Sequence, residues 1–352
     1  MNVDEGLRRG AMKLSGEMRL TRRLPLVATL VALSLLAVGI PADGRADAAR
    51  GAQQRVKPMF WGAWIASQFT GSDAPQKWQA VTKFEERNTR GKRLTMLHWY
   101  SPWQNPTTGG TYPFTRSVFE KVRRHRVTPF LSWSSRGISD ADIAAGKWDG
   151  YIRGWASAAT SWGHPLFLRF DREMNGAWFN WGAGDSGNTP AEFVAAWRHV
   201  HDIFTAAGAT NVRWVWCPNI DPRHKFTDIG LLYPGDAYVD WTCLDGYNGD
   251  DPWTSFTKLF ASSYQRLLQI APSKPIIIGE IGSTETGGSK ARWIRNMFAA
   301  LPKRFPHIRG LLWFDQYLQG PGGHSDWPIE TSQSSSDAFA DGVRTKGLRH
   351  RR

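Results

Sequence analysis

Residues 165–181 read PLFLRFDREMNGAWFNW. The run from Pro165 to Phe170 is apolar and strand-like. It delivers a carboxylate, Glu173, followed at once by Asn175, Gly176 and the aromatics Trp178, Phe179 and Trp181. A second run of the same design lies at 275–283, PIIIGEIGS, where apolar residues and a glycine deliver Glu280. Indole faces lie flat against the C–H faces of sugar rings, and amides and carboxylates bind hydroxyls. The stretch therefore points to carbohydrate. Two strand-end acids far apart in sequence are what glycoside hydrolysis needs, provided the fold sets them face to face, roughly 5–5.5 Å apart for a retaining reaction.

Working outward from these two runs, eight segments read as strands: 57–65, 94–100, 127–134, 166–173, 212–219, 238–248, 275–280 and 308–316. Between them, apolar residues recur at helical spacing over 74–90, from about Thr115, over 140–162 with a break at Gly146, and over 190–207, 255–270, 289–305 and 335–345. Pro190 suits the first turn of its helix. Several strands are apolar on both faces, as when helices cover one side and a barrel core the other. The expected fold is α/β, a single-domain (β/α)8 TIM barrel over 58–345. An open doubly wound sheet is the competitor. It would carry a glycine-rich phosphate loop after the first strand, and GAWIASQFTGS at 62–72 lacks that spacing.

In such barrels chemistry collects at the carboxyl ends of the strands. Those ends read His98, Trp99 and Tyr100; Asp171, Arg172, Glu173 and Asn175; Asn219; Asp245, Tyr247 and Asn248; Glu280; and Trp313, Asp315 and Gln316. Burying so many polar side chains costs stability unless they have partners or a task. Strand alternation puts Arg169 and Asp171 on the same inward face as Glu173, as an ion pair beneath the site, and turns Arg172 away. It groups Asp245 with Tyr247. His98 reads either as a hydrogen-bonded core histidine or as a contact to the sugar beside the nucleophile.

The composition, 41% hydrophobic and 21% charged, supports a buried core. Tryptophan is abundant, at 19 residues. About half suit the core; the others sit beside polar loop residues and suit sugar stacking. The net charge of +13 is scattered and comes with no nucleic-acid recognition motif. Its one dense run is the basic tail, 346–352. Residues 1–48 read as an export signal, with Arg19, Arg22 and Arg23 before the apolar stretch 24–40. The small-residue pattern Ala46-Asp47-Ala48 implies cleavage after Ala48 and a secreted protein without stable membrane association. Met12 or Met18 is an alternative start, and Arg22-Arg23 also permits twin-arginine export. A polar lead-in spans 49–57. Cys217 and Cys243, the two cysteines, fall on strands expected to be neighbours, and both a disulfide and two buried thiols remain open.

The segments REMNGAWFNW, WCPN, YPGDAYVDWTCLDGYN, PIIIGEIGS and LLWFDQ resemble glycoside hydrolase family 26, in clan A, over roughly 58–330. That resemblance implies a retaining, β-mannanase-like enzyme on a (β/α)8 fold. It implies Glu173 as acid/base, Glu280 as nucleophile and Tyr247 as the tyrosine bonded to the nucleophile. It further implies Trp178 and Trp313 as cleft aromatics and His98 near the cleaved sugar, and Asn219 joins this substrate-binding set. The family commonly has histidine before its acid/base, where this chain has Arg172. The expectation is a secreted monomer that cleaves β-1,4-mannan by double displacement, with no cofactor and no metal. The alternatives are a same-fold enzyme acting on mixed-linked glucan or β-1,3-xylan, a carbohydrate-binding protein without turnover, and a structural wall protein.

Overall fold

Eight parallel strands close into one barrel. They are β1 (Phe60–Ile65), β2 (Met96–Pro102), β3 (Thr128–Ser134), β4 (Leu166–Phe170), β5 (Val212–Trp216), β6 (Trp241–Asn248), β7 (Ile276–Ser283) and β8 (Ile308–Asp315). Each pairs with the next, and β8 returns to β1. Closure excludes the open doubly wound sheet. The computed structural model describes residues 59–345, apart from 106, 184–186, 222–225, 250–251 and 319–324, together with 347–348. The leader 1–48, the lead-in 49–57 and most of the basic tail lie outside the described residues.

Helices α1 (Trp78–Thr89), α2 (Arg116–Arg124), α3 (Asp140–Ala144), α4 (Asp149–Trp162), α5 (Pro190–Ala206), α6 (Phe256–Ile270), α7 (Lys290–Arg304) and α8 (Gln333–Val343) connect the strands on the outside. Gly146, in the left-handed region at φ 79°, separates α3 from α4. The break expected at Gly146 within 140–162 is thus present, and the segment forms two helices. Among the described residues between β5 and β6 there are only short 3-10 turns. Local chemistry starts the helices. Thr189 and Glu192 form a reciprocal capping box at α5, with Pro190 in its first turn, and Ser255, Ser289 and Ser332 cap α6, α7 and α8. Among the described residues no helix is long and apolar enough to cross a membrane.

The period-two pleat sorts the strands into two layers. Phe60, Met96, Phe130, Phe167, Val215, Cys243, Ile277 and Leu312, one from every strand, fill the lower barrel interior with Cys217. Their neighbours Trp61, Leu97, Leu131, Leu168, Trp216, Leu244, Ile278 and Trp313 face the helices. Each buried aliphatic or phenyl side chain contributes roughly 1.5–3 kcal/mol. Most of the tryptophans belong to this packing. All except Trp78, Trp148, Trp178, Trp241 and Trp253 are buried, and of those five only Trp178 is exposed. The sugar-stacking share expected from sequence was therefore too large: indoles beside polar loops turn inward beneath them. Cys217 and Cys243 are joined in a disulfide inside the barrel.

One irregularity positions the site. Against β6, the pairing of β7 jumps from Leu244↔Ile278 to Asp245↔Glu280, so Gly279 is an extra residue in β7. Strict alternation from the inward-facing Ile277 would turn Glu280 toward the helices. The bulge resets the parity, and Glu280 faces the interior. A Cβ at position 279 would lie 2.5 Å from Cys243 Sγ, 2.8 Å from Asp245 Oδ1 and 2.9 Å from Arg169 Nη1. Gly279→Ala is accordingly expected to destabilise the fold by about 1–3 kcal/mol through overpacking. Urea unfolding of the variant beside the parent measures this, and an unchanged midpoint would contradict the reading of the bulge.

Candidate active site

The open end of the barrel is built from the carboxyl ends of β2, β4, β5, β6 and β7. The expected strand 166–173 stops at Phe170, because Asp171 (φ 34°) and Glu173 (φ 55°) adopt left-handed backbone. Each such non-glycine residue costs on the order of 1–3 kcal/mol and persists only where its surroundings over-determine it. Here they do. The Asp171 N–H donates to the Trp133 carbonyl (3.2 Å) and its carboxylate accepts from the Ser135 N–H (2.8 Å). The Glu173 N–H donates to the Cys217 carbonyl (2.7 Å), and Trp181 Nε1 donates to the Arg172 carbonyl (2.7 Å).

This break in the pleat overturns two expectations. Asp171 does not pair with Arg169 but ties down the end of β3. Arg172 does not point away: its Nε lies 3.2 Å from Glu280 Oε1. Its guanidinium stacks 4.6 Å from the centres of both the Tyr100 and Phe179 rings. Alternation is a property of extended backbone, and residues 171–173 are not extended.

Glu173 and Glu280 come together. One carboxylate oxygen from each of Glu173, Asp245 and Glu280 lies within 4.8 Å of the others. Glu173 accepts from Trp178 Nε1 (2.6 Å) and from Asn219 Nδ2 (2.6 Å). Gly176 makes the first contact feasible, since a Cβ there would meet the Trp178 ring at 2.2 Å. Asn219 is fixed by reciprocal bonds with Asn175, 2.8 and 2.9 Å long. Glu280 is held from every side. Tyr100 donates to Oε1 (2.7 Å), Tyr247 to Oε2 and Arg169 Nη2 to Oε1.

Arg169, fully buried, spans from Glu280 to Asp245 and also donates from Nε to Ser132 Oγ (2.8 Å). Three clustered carboxylate oxygens are near enough for a cation, and Arg169 already supplies that charge between two of them. His98 is fully buried beneath this layer, with Nε2 2.7 Å from Ser132 Oγ and 3.1 Å from Arg169 Nη2. A guanidinium can only donate, so in the neutral ring Nε2 accepts and Nδ1 carries the proton. His98 thus occupies the position of a supporting core histidine.

Trp313, expected in the cleft, is fully buried against Trp293 and Phe339 on the helix side of β8, its Nε1 bonded to the Trp327 carbonyl (2.8 Å). Alternation from Leu312 puts Phe314 on the interior side, against the Tyr247 ring. Trp178 does face solvent, edge-on to the exposed Phe226. Sequence reasoning assigned no task to Tyr100. Its signal was present, because Tyr100 lies two residues beyond His98 on the same face of β2.

The environments push the two glutamates apart. Burial alone would raise Glu280, but the Arg169 and Arg172 guanidiniums reverse this and hold its carboxylate well below the usual range. Glu173 is raised, by burial first and by the Glu280 charge second, against opposing contributions from Arg172, Trp178 and Asn219. Burial and the Glu280 charge keep Tyr100 and Tyr247 protonated as donors. One carboxylate held ionised and one shifted toward its protonated form, on facing strand ends, is the division of labour that acid–base chemistry exploits.

Fold and site together define a (β/α)8 barrel of the paired-glutamate class. Residues 151–284 match the family described as Glycosyl hydrolase family 26. It is 33% identical over 290 residues to Endoglucanase H of Acetivibrio thermocellus, covering 80% of this chain and 30% of that protein. It is 29% identical over 231 residues to Mannan endo-1,4-beta-mannosidase A and B of Caldalkalibacillus mannanilyticus, covering 64% and 38%. The chain thus spans about a third of the length of these curated relatives. Among solved structures, a modular endo-β-1,4-mannanase of Cellulomonas fimi superposes with a TM-score of 0.60 at 17% identity, over 84% of this chain and 72% of that one. The likeness at that identity concerns the fold.

Proposed function

We propose that this chain is a retaining glycoside hydrolase that cleaves internal β-1,4-mannosidic bonds in mannan-type polysaccharide by double displacement. The observation that carries the reading is the pair Glu173 and Glu280: oxygens within 4.8 Å across one opening, with acidities shifted in opposite directions. Glu280 attacks the anomeric carbon as Glu173 gives its proton to the departing glycosidic oxygen. Water that loses a proton to Glu173 then attacks the same carbon, releasing the sugar and restoring the Glu280 carboxylate. Tyr100, Tyr247 and Arg169 aim Glu280 through both steps. Trp178 and Phe226 offer the aromatic wall on which a sugar ring stacks.

A second reading is a same-fold hydrolase of a mixed-linked β-glucan. It is favoured by the likeness to a protein named Endoglucanase H. Incubation with mannan, galactomannan, mixed-linked β-glucan and β-1,3-xylan, with reducing-end readout, separates the readings. Product from mannan supports the first, and product from glucan alone the second. Product from β-1,3-xylan alone makes it a xylan hydrolase of the same fold, and product from none of the four, at any protein concentration, leaves a protein without turnover. Proton NMR of the first product should show the β-anomer; the α-anomer would overturn retention. We also propose export as a monomer to an oxidising compartment. The leader-like residues 1–48 and the Cys217–Cys243 disulfide support this.

A further inference from the structure

The mechanism above leaves Arg172 without a task. Its guanidinium is only slightly exposed, is clamped between the Tyr100 and Phe179 rings and reaches Glu280 at 3.2 Å, although the neighbouring Arg169 already neutralises that carboxylate. We propose that Arg172 is a positioning residue whose fixed charge balances whichever glutamate is ionised, Glu280 in the free enzyme and Glu173 in the glycosyl-enzyme. The inference rests on the glycosidase reading and adds to it a role for the residue at 172.

The charges of the centre decide the argument. Before reaction, the Arg169 ion pair holds Asp245 ionised against the burial that raises its pKa, Arg172 faces Glu280, and Glu173 holds a proton. In the first displacement a bond forms from Glu280 to the anomeric carbon, the glycosidic C–O bond breaks, and the Glu173 proton leaves on the departing oxygen. Glu280 is then an uncharged ester and Glu173 a carboxylate. Two cations face two anions in both states. Without Arg172 each state carries an unbalanced negative charge among buried groups, where charge imbalance is costly.

Among the described residues, the other titratable or charged groups around Glu173 are Glu280 on β7 and Asp245 and Tyr247 on β6. Arg169 on β4 and Tyr100 and His98 on β2 reach it through Glu280. None of these is a second permanent cation facing both glutamates. An arginine suits the task because its charge persists at every working pH and its flat group stacks between rings.

The test is the pH dependence of kcat/KM for the parent, R172Q and R172K on the glycan that the parent cleaves. It is accompanied by a 13C-carboxyl NMR titration of Glu173 in the same three proteins. Removing a nearby positive charge raises a carboxyl group's pKa. In R172Q the basic limb of the profile and the Glu173 titration should therefore both move to higher pH by about one unit. R172K should bring both back toward the parent positions. A parent that cleaves glycan, with the R172Q limb and titration unmoved, overturns this inference alone and leaves Arg172 as packing. A parent that cleaves no glycan overturns the glycosidase reading and this inference with it.

Discussion

Glu280→Ala is expected to lower turnover on the cleaved polysaccharide by on the order of 10⁴–10⁶-fold, the scale seen when a nucleophile is removed. Among the described residues nothing else at the opening can replace it. Tyr100, Tyr247, Arg169 and Arg172 all converge on this one carboxylate, and Asp245 is fully buried and engaged by Arg169. Glu173→Ala should lose roughly 10²–10⁴-fold on polysaccharide. It should behave differently on an aryl glycoside whose leaving group needs no proton. There the first displacement proceeds, the second stalls for want of a base, and a glycosyl-enzyme accumulates. Mass spectrometry of the quenched variant should show that adduct, and added azide should restore turnover by attacking in place of activated water. Either variant keeping the parent's rate on polysaccharide would sink the assignment.

The second large effect concerns stability. Arg169→Met removes the one partner among the described residues that bridges Asp245 and Glu280, both buried, and should cost about 3–5 kcal/mol, the penalty for stranding buried charge. The sign of the pH dependence distinguishes this from a simple cavity. With Arg169 present, the folded-state pKa of Glu280 is depressed, so its contribution to stability is present above the unfolded carboxylate pKa and lost as pH falls through the folded value. With Arg169 gone, Asp245 loses the cation that opposes its burial and its folded-state pKa rises further, while Glu280, left with Arg172 alone, is depressed less. Their penalty is then greatest at neutral pH and shrinks as pH falls toward the unfolded carboxylate range near 4. Urea unfolding at several pH values should therefore show the gap between parent and variant narrowing on acidification. A gap independent of pH would mean that Arg169 acts as packing rather than as charge.

The barrel was legible because its signals are periodic and repeated. Eight apolar runs with helical spacing between them admit few arrangements, and Thr189-Pro190 and Ser289 announce their helices through capping chemistry. The convergence of Glu173 and Glu280 followed from the rule that such barrels gather function at one end. What sequence could not supply was side-chain direction wherever the backbone leaves regular geometry. Arg172 was turned the wrong way because the left-handed residues on either side of it end the alternation. Arg169 was given the wrong partner for the same reason. Trp313 was placed in the cleft by likeness alone, whereas counting from Leu312 would have set it on the helix side. The bulge at Gly279 conceals itself, since glycine is common and nothing local announces an extra residue.

That bulge ties distant positions into a shared fate. The space an ordinary side chain would take at 279 is already shared by Cys243 Sγ, the Asp245 carboxylate and the Arg169 guanidinium. Drift at 279 is therefore conditional on several positions at once: a descendant that shortened residue 169 alone would still meet Cys243 Sγ at 2.5 Å and Asp245 Oδ1 at 2.8 Å. Variation in the strand bearing the nucleophile is thereby governed from other strands of the barrel, which no neighbour-by-neighbour comparison of the sequence would disclose.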